Sequence, residues 1–392
     1  MAYMECAHLL IGYTLLNARG IPDAGEHSLK LLIQPNDGAT ALLKAIHRAE
    51  SSIEIAIFRF DQPDIEEALV TAVKRGVFVH ALIAHVNGTS AEALRKLEMR
   101  LLAAGVTVAR TDTDLARYHA KYVIVDRREL FALAFNFTTQ DIERSRSFGL
   151  ITKNRRLVQE AAKLFEADAK RQPYEPSSPS LVISPLNARK QLTSFLKGAK
   201  SELVIYDPRV SDRSMVKILR ERLEANVSVR VIGRVSGTQN GIPVQPLTRM
   251  RLHTRCIIRD RKAAFLGSQS LRELELDGRR ELGVICRDRS VVAAILKVFE
   301  EDWVASARTG SCDDSVRPVA KMAKKVAKAV TTELPSVAPV LDDIAKRMNG
   351  AEIKLAGKEV EETVRTAVKE AVKIAVQRVI EQNGTEESRA SE

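Results

Sequence analysis

Two short segments of the 392-residue sequence share one layout of imidazole, cation and carboxylate. The first runs from Tyr118 through His119 and Lys121 to Asp126, and the second from Leu252 through His253 and Arg255 to Asp260. If 118–126 is a strand, its period of two puts His119, Lys121, Val123 and Val125 on one face, with imidazole beside ammonium. That pairing suits phosphate chemistry. The cation grips non-bridging oxygens while the imidazole attacks phosphorus or moves a proton. Arg255 is itself a phosphate ligand, often bidentate, though its reach differs from that of lysine. A lone strand histidine is ordinarily structural. Here two of only seven histidines occupy matching positions, each followed two residues later by a cation, and that marks a site.

The spacing extends the match. His119 to Asp126 and His253 to Asp260 are each 7 residues, and Asp126 to Gly149 and Asp260 to Gly283 are each 23. Val77 to His119 is 42 residues, whereas Val227 to His253 is 26; the missing 16 amount to one helix and its turn. The chain reads as a duplicated unit with one connection remodelled.

The repeated pattern resembles the phospholipase D superfamily, whose motif is H-x-K-x4-D-x6-G-S-x-N. The first copy supplies His119, Lys121, Asp126 and Asn136, with Leu133 and Ala134 in place of Gly-Ser. The second supplies His253, Asp260, Gly267 and Ser268, with Arg255 for Lys and Ser270 for Asn. Asn136-Phe-Thr138, the upstream Lys74-Arg-Gly-Val77 and an acid two residues before the final glycine also fit. That acid is Glu281 in the second copy and is replaced by Ser147 in the first. The likeness covers residues 29–304.

What the resemblance implies is a metal-independent, cofactor-free phosphoryl transfer in two steps. His119 would be the nucleophile, oriented by Glu281, and His253 the general acid and base. Lys121, Arg255 and Asn136 would hold phosphate oxygens with help from Ser268, while Asp126, Asp260 and Gly267 would be structural. With Ser147 in the acidic position, His253 needs another partner, and Asp141 and Glu143 are the nearby candidates. Leu133, replacing the motif glycine, is expected close to the site. Neither Gly233–Gly237 nor Asn240-Gly241 has a phosphate-loop signature, and no metal-ligand spacing of His and Cys occurs.

These residues need elements to hold them. Strand patterns fall at 30–34, 53–58, 77–83, 106–110 and 118–126, with helical patterns at 39–49, 65–75 and 91–104, Asp37 and Ser90 as N-caps, and a closing helix at 155–171. Residues 172–180 hold three prolines and read as a linker. The pattern then restarts: strand 181–184, helix 188–197, strand 202–207, helix 214–225, strand 227–232. The expected fold is α/β, two fused repeats of mixed sheets flanked by helices, at 29–171 and 181–304. An extension (1–28) precedes them and a helical tail (305–392), disordered over its last ten residues, follows.

Composition agrees with an anionic ligand. Residues 304–392 hold 15 Lys/Arg and 14 Asp/Glu, so +10 of the net +11 lies in the body before them. In the tail, Val319, Met322, Val326 and Val330 share a helical face ringed by lysines, a design that binds anionic membrane surfaces when it is more than a solvated helix. Valines from 360 to 379 form a second stripe, suited to packing or self-association. The four cysteines form no framework, and Cys256 and Cys286 fall in strands as reduced core residues, which fits a cytoplasmic setting. The apolar stretch at 9–16 is too short to span a bilayer. Three readings follow: a phosphodiesterase or phosphatidyltransferase acting on phospholipids, a nuclease with the same chemistry, or an impaired phosphate- or lipid-binding protein. Aromatic residues are 5% of the chain, which disfavours stacking platforms for nucleic acid.

Overall fold

The apolar runs of the sequence alternate with amphipathic helices, and each sheet buries both of its faces. The computed structural model describes residues 29–84, 91–111, 115–237 and 241–310. The N-terminal extension, Ser90 and the tail stripes at 319–330 and 360–379 lie outside them.

In the first repeat the strands are β1 (Lys30–Gln34), β2 (Ser52–Ile57), β3 (Phe78–Ile83), β4 (Thr107–Arg110), β5 (Arg117–Tyr118), β6 (Tyr122–Val125), β7 (Glu129–Leu133) and β8 (Ser145–Thr152). The second contributes β9 (Leu181–Ser184), β10 (Glu202–Val210), β11 (Ser228–Val235), β12 (Val244–Gln245), β13 (Arg251–Leu252), β14 (Arg255–Arg259), β15 (Ala263–Gly267) and β16 (Arg279–Cys286). The sheets run β1-β8-β7-β6-β2-β3-β4 and β12-β11-β10-β14-β15-β16-β5, with β13 joined to β8 and β9 to β16. Both are mixed: β2 and β10 pair parallel with β3 and β11, and antiparallel with β6 and β14.

Helices Thr40–Arg48, Pro63–Lys74 and Ala91–Ala103 cover the outer face of the first sheet, where Ile53, Ile55, Ile57, Val123 and Val125 meet Ile46, Leu69 and Leu101. Ala188–Lys197 and Arg213–Glu224 do the same for the second, where Leu203, Ile205 and Val229 meet Leu192 and Leu219. Strand alternation sends the other set inward. Tyr122, Ile124 and Leu150 share one core with Val204, Tyr206 and Leu266 of the second repeat, closed by Phe165 and Phe299 on helices Arg155–Ala169 and Arg289–Gly310. This common core fixes one repeat against the other. Phe148 meets Tyr206 across the repeats at 5.6 Å, and Tyr206 meets Phe299 within the second repeat at 5.0 Å.

Three expectations are corrected. Residues 118–126 are not one strand: Arg117–Tyr118 pairs parallel with β16 of the other repeat, whereas Tyr122–Val125 pairs with β2 and β7 of its own. One extended segment cannot serve both sheets, so pairing lapses over 119–121. Asp37 does not cap the first helix, whose N-cap is Ala39; its carboxylate closes the preceding turn by accepting Ile33 N–H at 2.7 Å. The last helix runs to Gly310, past the boundary expected at 304.

Candidate active site

The pairing lapse is what delivers the histidines. β5 ends on the sheet of the second repeat and β13 on the sheet of the first, so each histidine is held by the other copy. His119 N–H donates to Arg280 O at 2.7 Å; His253 N–H and Thr254 N–H both donate to Arg146 O at 3.0 Å. The arginines supplying these carbonyls are buried and anchored in turn. Arg146 grips Asp302 at 2.8 and 3.1 Å, and Arg280 bonds Asp168 at 3.0 Å. In each case the acid sits on the closing helix of the other repeat. Sequence reasoning passed over Arg146 and Arg280, although each stands one residue before the position of Ser147 or Glu281.

The His119 side is fully partnered. Its Nδ1 lies 2.8 and 3.0 Å from the two oxygens of Glu281, a fully buried carboxylate. Ser268 Oγ takes the Leu282 N–H at 3.2 Å and donates to Leu282 O at 3.3 Å, and from there it favours the ionised form of Glu281. Lys121 is wholly buried, and Nζ donates to His119 O at 2.6 Å. Burial pushes Glu281 up to about 7 against the opposing pull of Lys121. Burial pushes Lys121 down to about 7, with Glu281 opposing. His119 is held well below the usual imidazole range by burial, then by the charges of Lys121 and Arg255. A neutral imidazole that donates Nδ1–H to Glu281 leaves its Nε2 lone pair for attack.

The His253 side is built alike and finished less completely. Arg255 donates from Nη1 to His253 O at 2.6 Å, as Lys121 does to His119 O, and from Nε to Ser270 at 3.2 Å. Of the two acids considered, Asp141 faces the ring with Oδ2 3.5 Å from Nδ1, beyond a good hydrogen bond, whereas Glu143 is exposed and plays no part. Asp141 is engaged elsewhere, accepting Asn136 N–H at 2.9 Å, Asn136 Nδ2 at 2.6 Å and Arg251 at 2.5 Å. Asn136 Oδ1 also takes Arg59 N–H at 3.2 Å, which leaves one amide hydrogen for an anion. His253 Nδ1 and the buried Ser147 hydroxyl make no hydrogen bond. Burial and Arg255 hold His253 well below the usual range too, so Lys121 and Arg255 act on both imidazoles at once. The structure brings His119, His253, Lys121, Arg255, Asn136, Ser268 and Glu281 together.

Asp126 and Asp260 stand apart as braces. Asp126 accepts the N–H groups of Glu50, Ser51 and Ser52 and the Ser51 hydroxyl; Asp260 accepts those of Lys200, Ser201 and Glu202 and the Ser201 hydroxyl. Each locks the entry to β2 or β10. Leu133, expected near the site, is buried in the outer core, and its Cδ2 lies 2.8 Å from where a Cβ on Gly149 would stand. In the second copy Gly267 faces Gly283, and a Cβ on Gly267 would come within 2.6 Å of the Gly283 Cα. A leucine thus fits the first sheet only by pointing outward over Gly149. Sequence reasoning missed Glu275, which accepts Ser270 N–H at 2.8 Å as Asp141 accepts that of Asn136. The signal was present, since each acid stands 15 residues after the motif aspartate.

Comparison with known proteins bears on the family and the fold. Residues 42–169 and 192–303, more than half of the chain, match the family described as cardiolipin synthase, PLD-like domain. The chain is 32% identical over 156 residues to the mitochondrial cardiolipin hydrolase of Mus musculus, covering 39% of this chain and 67% of that protein. It spans about half to two thirds of the curated relatives it matches. Among solved structures, phosphatidylserine synthase of Haemophilus influenzae aligns at a TM-score of 0.55 with 13% identity, over 70% of this chain and 85% of that one. Polyphosphate kinase of Porphyromonas gingivalis aligns at 0.60 with 18% identity, over 70% and 46%. At those identities the two structures speak to the fold alone. With its family match over both repeats and its motif histidines converging from them, the chain belongs to the phospholipase D superfamily.

Proposed function

We propose that the chain is a phosphodiesterase or phosphatidyltransferase that cleaves phospholipids through a phosphohistidine. The observation that carries this reading is the buried His119–Glu281 pair, which supplies a neutral imidazole with a fixed tautomer. His119 Nε2 attacks phosphorus, the P–O bond to the leaving alcohol breaks, and His253 gives that alkoxide its proton. His253 then removes a proton from water or an acceptor alcohol, whose oxygen attacks phosphorus and releases His119. Lys121 and Arg255 neutralise the oxygens in flight. An arriving diester anion raises the pKa of His253, which makes its acid form accessible despite burial.

The lipid assignment is supported by the names of the relatives in sequence and by the low aromatic content. Contact with an anionic membrane through residues 319–330 belongs to the same proposal. One observation favours a second reading, a phosphate-binding protein with blunted turnover: His253 Nδ1 lacks a hydrogen bond. The test is an activity panel of phosphatidylcholine, phosphatidylglycerol, single-stranded DNA, RNA and bis(p-nitrophenyl) phosphate. The proposal predicts turnover of lipid and generic diester and none of polynucleotide. Cleavage of polynucleotide alone would make the chain a nuclease, and binding without turnover would favour the second reading.

A further inference from the structure

We propose that Gln34 and Ser147 position His253 through one buried water molecule, an uncharged counterpart of the carboxylate that orients His119. The part His253 plays in turnover rests on the reading above, whereas its positioning does not.

The two copies lay out matching rows of polar side chains with the long and short members exchanged. On one side β9 and β16 set Ser184 opposite Glu281, and the β5–β16 register brings His119 alongside. On the other, β1 and β8 set Gln34 opposite Ser147. The β13–β8 register, extended by His253 N–H on Arg146 O, brings His253 alongside Ser147. Side chains directly opposite on paired strands project from one face, so each row gathers beside its imidazole. In the first row Glu281 reaches His119 itself. In the second the serine ends well short of where a glutamate carboxylate would lie. Three buried atoms of this row have no hydrogen-bond partner: Gln34 Oε1, Ser147 Oγ and His253 Nδ1. Gln34 Nε2 donates to Gly38 O at 2.7 Å, which leaves Oε1 as the free end of the amide.

Buried polar atoms are seldom left bare, and a water molecule with two to four polar partners is the common remedy. The donors and acceptors balance. A water that accepts His253 Nδ1–H, donates to Gln34 Oε1 and bonds Ser147 Oγ satisfies all three atoms. Asp141 is a poor substitute. Its Oδ2, 3.5 Å from His253 Nδ1, already accepts Asn136 N–H and Asn136 Nδ2, and its Oδ1 is held by Arg251. The difference between the rows also suits the proposed roles. A carboxylate partner steadies the positive charge that a phosphohistidine carries, which favours His119 as nucleophile. His253 has to gain and lose a proton at Nε2, and a neutral partner on Nδ1 fixes its tautomer without holding that proton back. Gln34 and Ser147 are thus positioning residues, and neither touches substrate.

The experiment reads tautomer and turnover in the full chain, in Ser147→Ala, and in Ser147→Thr, which keeps the hydroxyl. Nitrogen-15 NMR of histidine-labelled protein, with the His253 signals assigned through His253→Ala, should find a single Nδ1–H tautomer in the wild type. Ser147→Ala should turn it into a mixture, and Ser147→Thr should keep it single. Gln34→Met should act as Ser147→Ala does. With bis(p-nitrophenyl) phosphate, Ser147→Ala should keep the rate of the p-nitrophenol burst, whose leaving group needs no acid. The steady state that follows should slow about tenfold, because release of His119 needs His253 as base. A tautomer unmoved by Ser147→Ala, or a burst and steady state lowered alike, would overturn the positioning role. A wild type without a burst, but with the tautomer shift, sinks the phosphohistidine reading and leaves the positioning standing. Lipid turnover with an unmoved tautomer does the reverse.

Discussion

His119 and Glu281 are 162 residues apart in sequence, yet Nδ1 of one lies 2.8 Å from Oε2 of the other. The contact forms only when the two repeats have docked, because the histidine comes from one copy and the carboxylate from the other. Docking of the two repeats therefore completes the site.

Glu281→Gln should therefore lower kcat by about 10²- to 10⁴-fold, the scale of losing a properly oriented acid–base partner, with a much smaller effect on KM. Steady-state kinetics on bis(p-nitrophenyl) phosphate measures it. A loss under threefold would remove Glu281 from the mechanism.

The same pair sets a pH profile. Glu281 is pushed up to about 7, so its carboxylate is lost as pH falls through that value. Lys121 is pushed down to about 7, so its ammonium is lost as pH rises through it. The kcat/KM of the wild-type enzyme should be a narrow bell centred near neutrality, with apparent values belonging to the coupled site. In Lys121→Arg, where the cation does not titrate, the alkaline limb should move up by more than one pH unit. An unchanged limb would place that titration elsewhere.

Much of this was legible in the sequence, and the reason is spacing. The two His-to-Asp intervals and the two Asp-to-Gly intervals place His119, His253, Asp126 and Asp260 in matching frames, whereas Glu281 came from the resemblance to the phospholipase D superfamily. The interruption at 119–121 was not legible, because the competing pairing lies on the other repeat's sheet, beyond any local periodicity. The choice between Asp141 and Glu143 also needed the fold: the short helix Thr139–Glu143 turns Asp141 inward and Glu143 to solvent. Leu133 was misread because its side chain escapes over Gly149, a space seen only once β7 and β8 are paired.

Asp126→Ala and Asp260→Ala should each cost about 2–4 kcal/mol of folding stability, since several N–H groups lose one charged acceptor. Both carboxyls are held below their ordinary 3.8 by these hydrogen bonds, which outweigh burial. A depressed carboxyl contributes its stability above the unfolded value, and that contribution is lost as pH falls through the folded one. Urea titrations at pH 7 and pH 3 should show the wild-type advantage shrinking in acid. An advantage that grows in acid would contradict the assignment.

Arg146→Ala should destabilise the fold by about 3–5 kcal/mol, because Asp302 would be left buried with only the Tyr206 hydroxyl at 2.6 Å. Thermal unfolding measures this. Arg146→Ala combined with Asp302→Leu should recover much of the loss, whereas an additive double mutant would show that the two residues are not coupled.

In the proposed mechanism phosphate charge is handled by Lys121 and Arg255, so hydrolysis of a generic diester should survive exhaustive EDTA treatment. Activity abolished by chelation and restored by a divalent ion would contradict the mechanism.

The central claim is the division of labour between the histidines, and trapping the covalent intermediate tests it most directly. In His253→Ala, a p-nitrophenyl phosphodiester has a leaving group good enough to depart without an acid, and the intermediate then stalls for want of a base. Acid-quenched mass spectrometry should find phosphate on His119 of that variant and none on the protein in His119→Ala. An adduct on His253 in His119→Ala protein would reverse the roles, and no adduct in either variant would contradict the phosphohistidine account.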